Sequence, residues 1–112
     1  MRKIVIAGHG NIAEGLKSSA SLIVGSLADS VITYALQPGG SATDFAEDVA
    51  DMIANEPDSE FVVLTDLFGA SVFDAFIPLY AHDNFYLFTG VSLGLLLSVM
   101  MAEYPLSKKG AR

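Results

Sequence analysis

Short apolar runs and helical segments alternate four times along the chain. The apolar runs are rich in β-branched and aromatic residues and predict strands over residues 4–7, 29–36, 61–65 and 85–89. The segments that follow predict helices over residues 12–24, 42–54, 72–80 and 93–103. A regular alternation of strand and helix is typical of a parallel sheet with helices on both faces.

The handedness of the connections limits the order of the strands. We expect right-handed crossovers and, among the doubly wound orders, a four-stranded sheet in the order 2-1-3-4. This order makes strands 1 and 3 neighbours, and ligands bind such folds at the carboxyl ends of these strands. We predict one domain over residues 1–112, in which residues 104–112 form a polar tail.

The two residues best suited to chemistry end these two strands. His9 ends strand 1 between Gly8 and Gly10, which let the backbone turn tightly and leave room beside the ring. Asp66 ends strand 3, so we expect it to meet His9 in the crevice. A carboxylate can accept from one imidazole nitrogen and leave the other as a nucleophile or base. The alternative is a structural His9 that caps a neighbouring carbonyl in the turn.

An anion site is predicted next to this pair, at the start of the third helix. The backbone N–H groups of Gly69, Ala70 and Ser71, with the Ser71 hydroxyl, are suited to hold an anion there. A histidine, an orienting carboxylate and an anion site together suit a phosphohistidine. Ser71 does not lie in the G-x-S-x-G elbow of serine hydrolases, and the sequence has neither a Walker A loop nor a G-x-G-x-x-G fingerprint.

Composition narrows the function classes further. The net charge of −7 argues against binding to nucleic acid or to anionic membranes, and it suits a partner with a basic docking face. The chain has no cysteine, which excludes disulfides and thiolate sites. The only other histidine, His82, falls in a separate turn, so we expect a surface residue and no metal site. Asp74 is likewise expected to be a surface charge on the third helix.

The hydrophobic content bears on assembly and location. Hydrophobic residues make up 52% of the chain, and the mean hydropathy is +0.48, so we expect a homodimer that covers part of the apolar surface. No apolar run reaches the ~18–20 residues of a membrane span. The chain enters a strand directly after Met1, and no secretory leader is expected. These features fit a cytoplasmic protein.

Three segments, in order, resemble the IIA domain of the mannose-type sugar phosphotransferase system. They are IVIAGHG at residues 4–10, VLTDLFGASVFD at residues 63–74 and FTGVSLGLL at residues 88–96. The Pro38-Gly39 pair also matches the loop after the second strand of that family. The resemblance extends over roughly residues 3–103, so it covers nearly the whole chain.

The resemblance implies a phosphoryl carrier. His9 would accept a phosphoryl group from the carrier protein HPr and pass it to a IIB subunit, which serves sugar uptake through membrane IIC and IID subunits. Asp66 would orient His9. The residues that would contact the phosphate are Gly10, Gly69, Ala70 and Ser71. The resemblance implies no nucleotide, metal or other cofactor, because the donor is itself a phosphohistidine.

The chain departs from the family pattern at several positions. Leu67 stands where a hydroxyl residue is common, and Val72 and Asp74 replace the usual proline and asparagine. Ser92 and Gly94 replace asparagine and proline in the third segment. Family members usually continue into a further strand that is exchanged across a homodimer, and residues 104–112 are short and polar by comparison.

Three other functions fit the sequence. One is the related phosphotransfer domain of a dihydroxyacetone kinase system, although Gly8-His9-Gly10 and Asp66 match its motifs less well. Another is a regulatory module whose phosphorylated state is recognised by a partner without onward transfer. The third is an unrelated flavodoxin-like binding module with a structural His9. The identity of the sugar cannot be deduced from this chain, because specificity resides in the membrane subunits.

Overall fold

A parallel four-stranded sheet forms the middle layer of the protein in this computed structural model, which describes residues 1–67 and 71–103. The strands are β1 (Arg2–His9), β2 (Ile32–Leu36), β3 (Glu60–Thr65) and β4 (Phe85–Phe88). Their order is β2-β1-β3-β4, and every neighbouring pair is parallel. The predicted doubly wound α/β class and the 2-1-3-4 order are therefore confirmed.

Helices cover both faces of the sheet. They are α1 (Ile12–Val24), α2 (Ala42–Asn55), α3 (Ser71–Phe76) and α4 (Leu93–Met101). Side chains that alternate along each strand point to opposite faces. Val5 and Val63 accordingly pack in one core cluster with residues of α2 and α3, whereas Ile6 and Leu64 pack in a second cluster with residues of α1 and α4.

The register of the two central strands positions the predicted site. Every residue of β3 is buried, as its nearly continuous apolar sequence predicts for a strand covered on both faces. Ala7 of β1 is paired with Thr65 of β3. The next residues, Gly8 and Asp66, therefore lie side by side at the carboxyl edge of the sheet.

The second strand begins later than predicted. After α1 the chain forms a short 3₁₀ helix over Gly25–Ala28. The N–H groups of Asp29 and Val31 then donate to the carbonyls of Ser26 and Ala28, at 3.0 and 3.1 Å. These turn hydrogen bonds use the backbone groups that a strand would pair with its neighbour, so β2 starts only at Ile32.

The third helix is shorter than predicted because it changes geometry near a proline. The α-helical part ends at Phe76 and continues as a 3₁₀ helix over Ile77–Ala81. Pro78 has no N–H to donate to a preceding carbonyl, and its ring disfavours a continuous α-helix. The helix α4 and the strand β4 end close to their predicted limits. The predicted polar tail over residues 104–112 lies outside the described residues.

Two serines cap the helices α2 and α4. The N–H of Asp44 donates to the Ser41 hydroxyl at 3.2 Å at the start of α2. The N–H of Leu95 donates to the Ser92 hydroxyl at 3.1 Å at the start of α4. Each cap satisfies one of the N–H groups that the first helical turn leaves unpaired.

Candidate active site

His9 and Asp66 are in direct contact at the carboxyl edge of the sheet. The backbone N–H of His9 donates to Asp66 Oδ2 at 2.9 Å, and the ring Nδ1 of His9 lies 2.9 Å from the same oxygen. The other oxygen, Oδ1, accepts from the N–H of Leu67 at 3.0 Å. The prediction that the two residues meet is confirmed. Their roles in a reaction remain predictions.

The surroundings of Asp66 keep its carboxylate ionised. Burial by itself raises the pKa of Asp66, but the hydrogen bonds from the His9 backbone and ring, the charge of the ring and the hydrogen bond from the backbone of Asp66 itself outweigh it. The pKa of Asp66 is therefore lower than its ordinary value of 3.8. An ionised carboxylate only accepts hydrogen bonds. Nδ1 of His9 must then carry the proton, which leaves the lone pair of the neutral ring on Nε2.

The exposed member of the pair is the histidine. The His9 side chain is 44% exposed, whereas that of Asp66 is only 12% exposed. Asp66 covers the Nδ1 edge of the ring, and Nε2 forms no hydrogen bond within residues 1–67 and 71–103. Nε2 is therefore the nitrogen open to a reaction partner.

The two glycines on either side of His9 serve different structural purposes. Gly10 has φ = +60°, in the left-handed region that favours glycine, and its N–H donates to the Leu36 carbonyl at 2.9 Å. Gly8 is buried within β1. A Cβ there would lie 2.5 Å from Cγ2 of Ile12 and 3.2 Å from Oδ2 of Asp66. Gly10 thus turns the chain, and Gly8 leaves space for two neighbouring side chains.

The predicted anion site is only partly described. Ser71 is the first residue of α3, and its side chain is exposed. Gly69 and Ala70 lie outside the described residues. The amide of Gly10 is already engaged with Leu36. The contacts of all four residues with phosphate remain predictions.

The space requirement at Gly8 and the contact between Leu67 and Asp66 did not emerge from the sequence. We attributed both glycines to the turn and to room for a partner. No sequence signal indicates which backbone N–H would donate to Asp66.

The remaining candidate residues lie elsewhere. His82 is half-buried and lines a groove between α2 and the 3₁₀ helix, together with Glu47 and Pro78. Asp74 is exposed on α3. In the part of the chain that the structure describes, no group of three His, Asp or Glu residues is arranged to hold a metal ion. None of the described helices is both long and apolar enough to cross a membrane.

Fold and site together define a doubly wound α/β domain that presents an exposed histidine, held by a carboxylate, at the carboxyl edge of its sheet. The sequence model of the family described as "PTS system fructose IIA component" matches residues 3–111. The chain therefore belongs to the mannose-type EIIA family of the sugar phosphotransferase system (PTS), as its motifs predicted.

Individual relatives agree with this assignment. The chain is 26% identical over 104 residues to the sorbose-specific EIIA component of the PTS from Klebsiella pneumoniae, covering 92% of this chain and 76% of the relative. The crystal structure of the phosphotransferase system component EIIA from Streptococcus agalactiae superposes with a TM-score of 0.80. It is 26% identical, and the match covers 96% of this chain and 82% of that one.

A more distant structure shares the fold. The mannose/sorbose-specific IIA subunit of the phosphotransferase system from Enterococcus faecalis superposes with a TM-score of 0.70 at 20% identity. The match covers 94% of this chain and 78% of that one. At this level of identity the likeness concerns the fold alone. The protein is thus an EIIA component of a sugar-transport system, and its fold is that of the family's solved structures.

Proposed function

We propose that the protein carries a phosphoryl group on Nε2 of His9, taking it from the phosphohistidine of HPr and passing it to a histidine of a IIB subunit. One observation carries this proposal. Asp66 Oδ2 binds both the backbone and the Nδ1 of His9 and leaves Nε2 on an exposed ring. Membership of the EIIA family supports it.

The proposed transfer is a direct displacement between two histidines. The lone pair on Nε2 of His9 attacks the phosphorus atom and forms a new P–N bond. The P–N bond to the histidine of HPr breaks, and its electron pair stays on that ring. The His9 ring gains positive character while Nδ1 keeps its proton, and the Asp66 carboxylate stabilises that charge. Transfer to the IIB subunit follows the same path with His9 as the leaving group.

Several further features belong to this proposal. The negative net charge of −7 suits docking to a basic face of HPr or IIB. The protein would act in the cytoplasm, as a homodimer, and would reach the membrane IIC and IID subunits through IIB. The donor already holds a high-energy phosphohistidine, so the reaction would require neither nucleotide nor metal. The proposed phosphate contacts are Gly10, Gly69, Ala70 and Ser71.

Reconstitution of the phosphoryl chain tests the proposal. The protein is incubated with phosphoenolpyruvate, enzyme I and HPr, and its intact mass is measured. We expect one acid-labile phosphoryl group in the wild type and in His82→Ala, and none in His9→Ala. Phosphorylation of a serine or of His82 would contradict the proposal.

Onward transfer separates a carrier from a regulatory module. The phosphorylated protein is purified and mixed with a IIB subunit of the mannose family. A carrier loses its phosphoryl group while IIB gains one. A stable phosphoprotein that no IIB subunit discharges would favour the regulatory function.

A further inference from the structure

We infer that Gly8 is a positioning residue for the His9–Asp66 pair, because its missing side chain lets the Asp66 carboxylate reach both the backbone N–H and the ring Nδ1 of His9. The inference deepens the proposed function, on which it rests. It assigns a role in transfer to a residue that touches neither the phosphoryl group nor the ring. Gly8 would act only through the space that its missing side chain leaves for the Asp66 carboxylate.

The backbone of Gly8 does not itself require glycine. Gly8 lies in β1 opposite Ala35 of β2, and its φ is outside the left-handed region. Other residues adopt such a strand conformation freely, and glycine within a strand is unfavourable by conformational entropy. The reason for glycine here is thus the close approach of a neighbouring group.

That group is the catalytic carboxylate. A Cβ at position 8 would lie 3.2 Å from Oδ2 and 3.3 Å from Cγ of Asp66, closer than ordinary van der Waals contacts. Oδ2 is the atom that accepts from the N–H of His9 and contacts Nδ1, each at 2.9 Å. Any side chain at position 8 therefore displaces the one oxygen on which the orientation of the ring depends.

Asp66 has little freedom to yield without losing these bonds. Its carboxylate is held by the N–H groups of His9 and Leu67 and by the His9 ring, so a shift of a few tenths of an ångström lengthens at least one hydrogen bond. Hydrogen bonds weaken as their distance and angle depart from the optimum. The expected result is a ring that is less firmly held in the Nδ1-protonated form.

A Cβ at position 8 would also contact Ile12, and the experiment must distinguish this contact from the one with Asp66. The same Cβ would lie 2.5 Å from Cγ2 of Ile12, the first residue of α1, so Gly8→Ala alone also disturbs the start of that helix. Ile12→Ala removes Cγ2 and with it this clash. The double variant Gly8→Ala/Ile12→Ala therefore retains the conflict with Asp66 without that with Cγ2 of Ile12.

The test compares four variants with the wild type. They are Gly8→Ala, Gly8→Ala/Ile12→Ala, Ile12→Ala and Gly15→Ala, and the last is the matched control because a Cβ at Gly15 meets nothing within 4 Å. The nitrogen NMR spectrum of the His9 ring reports which nitrogen carries the proton. Single-turnover transfer from phosphorylated HPr reports the rate.

We expect both variants with Ala at position 8 to lose part of the Nδ1-protonated signature and to accept the phosphoryl group about tenfold more slowly or worse. A misplacement of about 1 Å in an active site can cost about a hundredfold, and the shift here is smaller. Gly15→Ala and Ile12→Ala should keep the ring spectrum of the wild type. If Gly8→Ala does not fold, the double variant is compared with Ile12→Ala and the wild type instead.

Two results would overturn the inference. One is a double variant with the wild-type ring spectrum and rate, which would assign the whole effect to Ile12. The other is a Gly8→Ala protein that is unchanged in both measurements. The spectrum requires no phosphoryl donor. A wild-type protein that HPr does not phosphorylate would therefore overturn the proposed function, and the spectrum would still decide the role of Gly8.

Discussion

At the scale of single residues, one carboxylate oxygen organises the site. Asp66 Oδ2 accepts a hydrogen bond from the backbone N–H of His9 and also contacts the ring Nδ1. The same oxygen atom therefore holds both the backbone and the ring of His9. The ionised carboxylate keeps the proton on Nδ1, and this leaves Nε2 free for the proposed reaction. Asp66 is nearly buried and His9 is half exposed, which is the arrangement that a group-transfer site between two proteins requires.

Replacing Asp66 by asparagine should impair transfer more than folding. The variant Asp66→Asn removes the charge that stabilises the developing imidazolium, and the transfer rate from phosphorylated HPr should fall by about 10²–10⁴-fold. One oxygen becomes an NH₂ group that cannot accept a hydrogen bond, which should lower the free energy of unfolding by about 1 kcal/mol. Single-turnover kinetics and urea unfolding measure the two effects.

The control for this variant is Asp74→Asn, which removes the same charge from an exposed position on α3. It should transfer at nearly the wild-type rate. A wild-type rate for Asp66→Asn, combined with a loss of stability, would show that Asp66 is only a turn residue.

The lowered pKa of Asp66 predicts a pH dependence of stability. Folding favours the ionised carboxylate, so its stabilising contribution is complete above the ordinary pKa of 3.8 and is lost as the pH falls through the lower value of the folded state. The free energies of unfolding of wild type and Asp66→Asn should therefore converge as the pH falls from neutral to below 3.8. A difference that stays constant over this range would contradict the hydrogen bonding described for Asp66.

At the scale of elements, two neighbouring parallel strands bring the pair together. The pairing of Ala7 with Thr65 places Gly8 beside Asp66 at the carboxyl edge of the sheet, and His9, the last residue of β1, follows Gly8. The apolar run of β3 and the alternation of strands and helices predict this arrangement. The 3₁₀ helices over Gly25–Ala28 and Ile77–Ala81 were not predicted, because turn hydrogen bonds and the effect of a proline depend on the surrounding tertiary structure.

The cap of α4 should contribute to stability and not to chemistry. Ser92→Ala removes the hydroxyl that accepts from the N–H of Leu95, and it should lower the free energy of unfolding by about 1 kcal/mol. Ser98→Ala, at an exposed position within the same helix, should cost nothing because alanine favours helices. Urea unfolding checks both. Equal stabilities of the two variants would contradict the cap.

At the scale of the whole molecule, the sequence predicted the class of the fold and the meeting of His9 with Asp66. Both depend on periodicity and on the handedness of the crossovers, which are readable along the chain. The function of Gly8 was not readable, because it depends on the distance between a strand and a side chain 58 residues further along the chain. The hydrogen bonds that distinguish the two oxygens of Asp66 likewise could not be predicted from the sequence.

The apolar surface predicts self-association. Leu22, Ile23 and Leu27 are exposed near the end of α1, and Met101 is exposed at the end of α4. Such surface on a small chain with 52% hydrophobic residues favours a homodimer. Light scattering at micromolar concentration should give the mass of a dimer for the wild type and for His9→Ala alike. A monomer mass would contradict the prediction.

The most direct test of the central claim locates the phosphoryl group on a single atom. The protein is labelled with ¹⁵N, phosphorylated through HPr and studied by NMR, in which coupling to phosphorus identifies the bonded nitrogen. We predict a phosphoryl group on Nε2 of His9, with the proton still on Nδ1 beside Asp66. A phosphoryl group on Nδ1, or on any residue other than His9, would contradict this account.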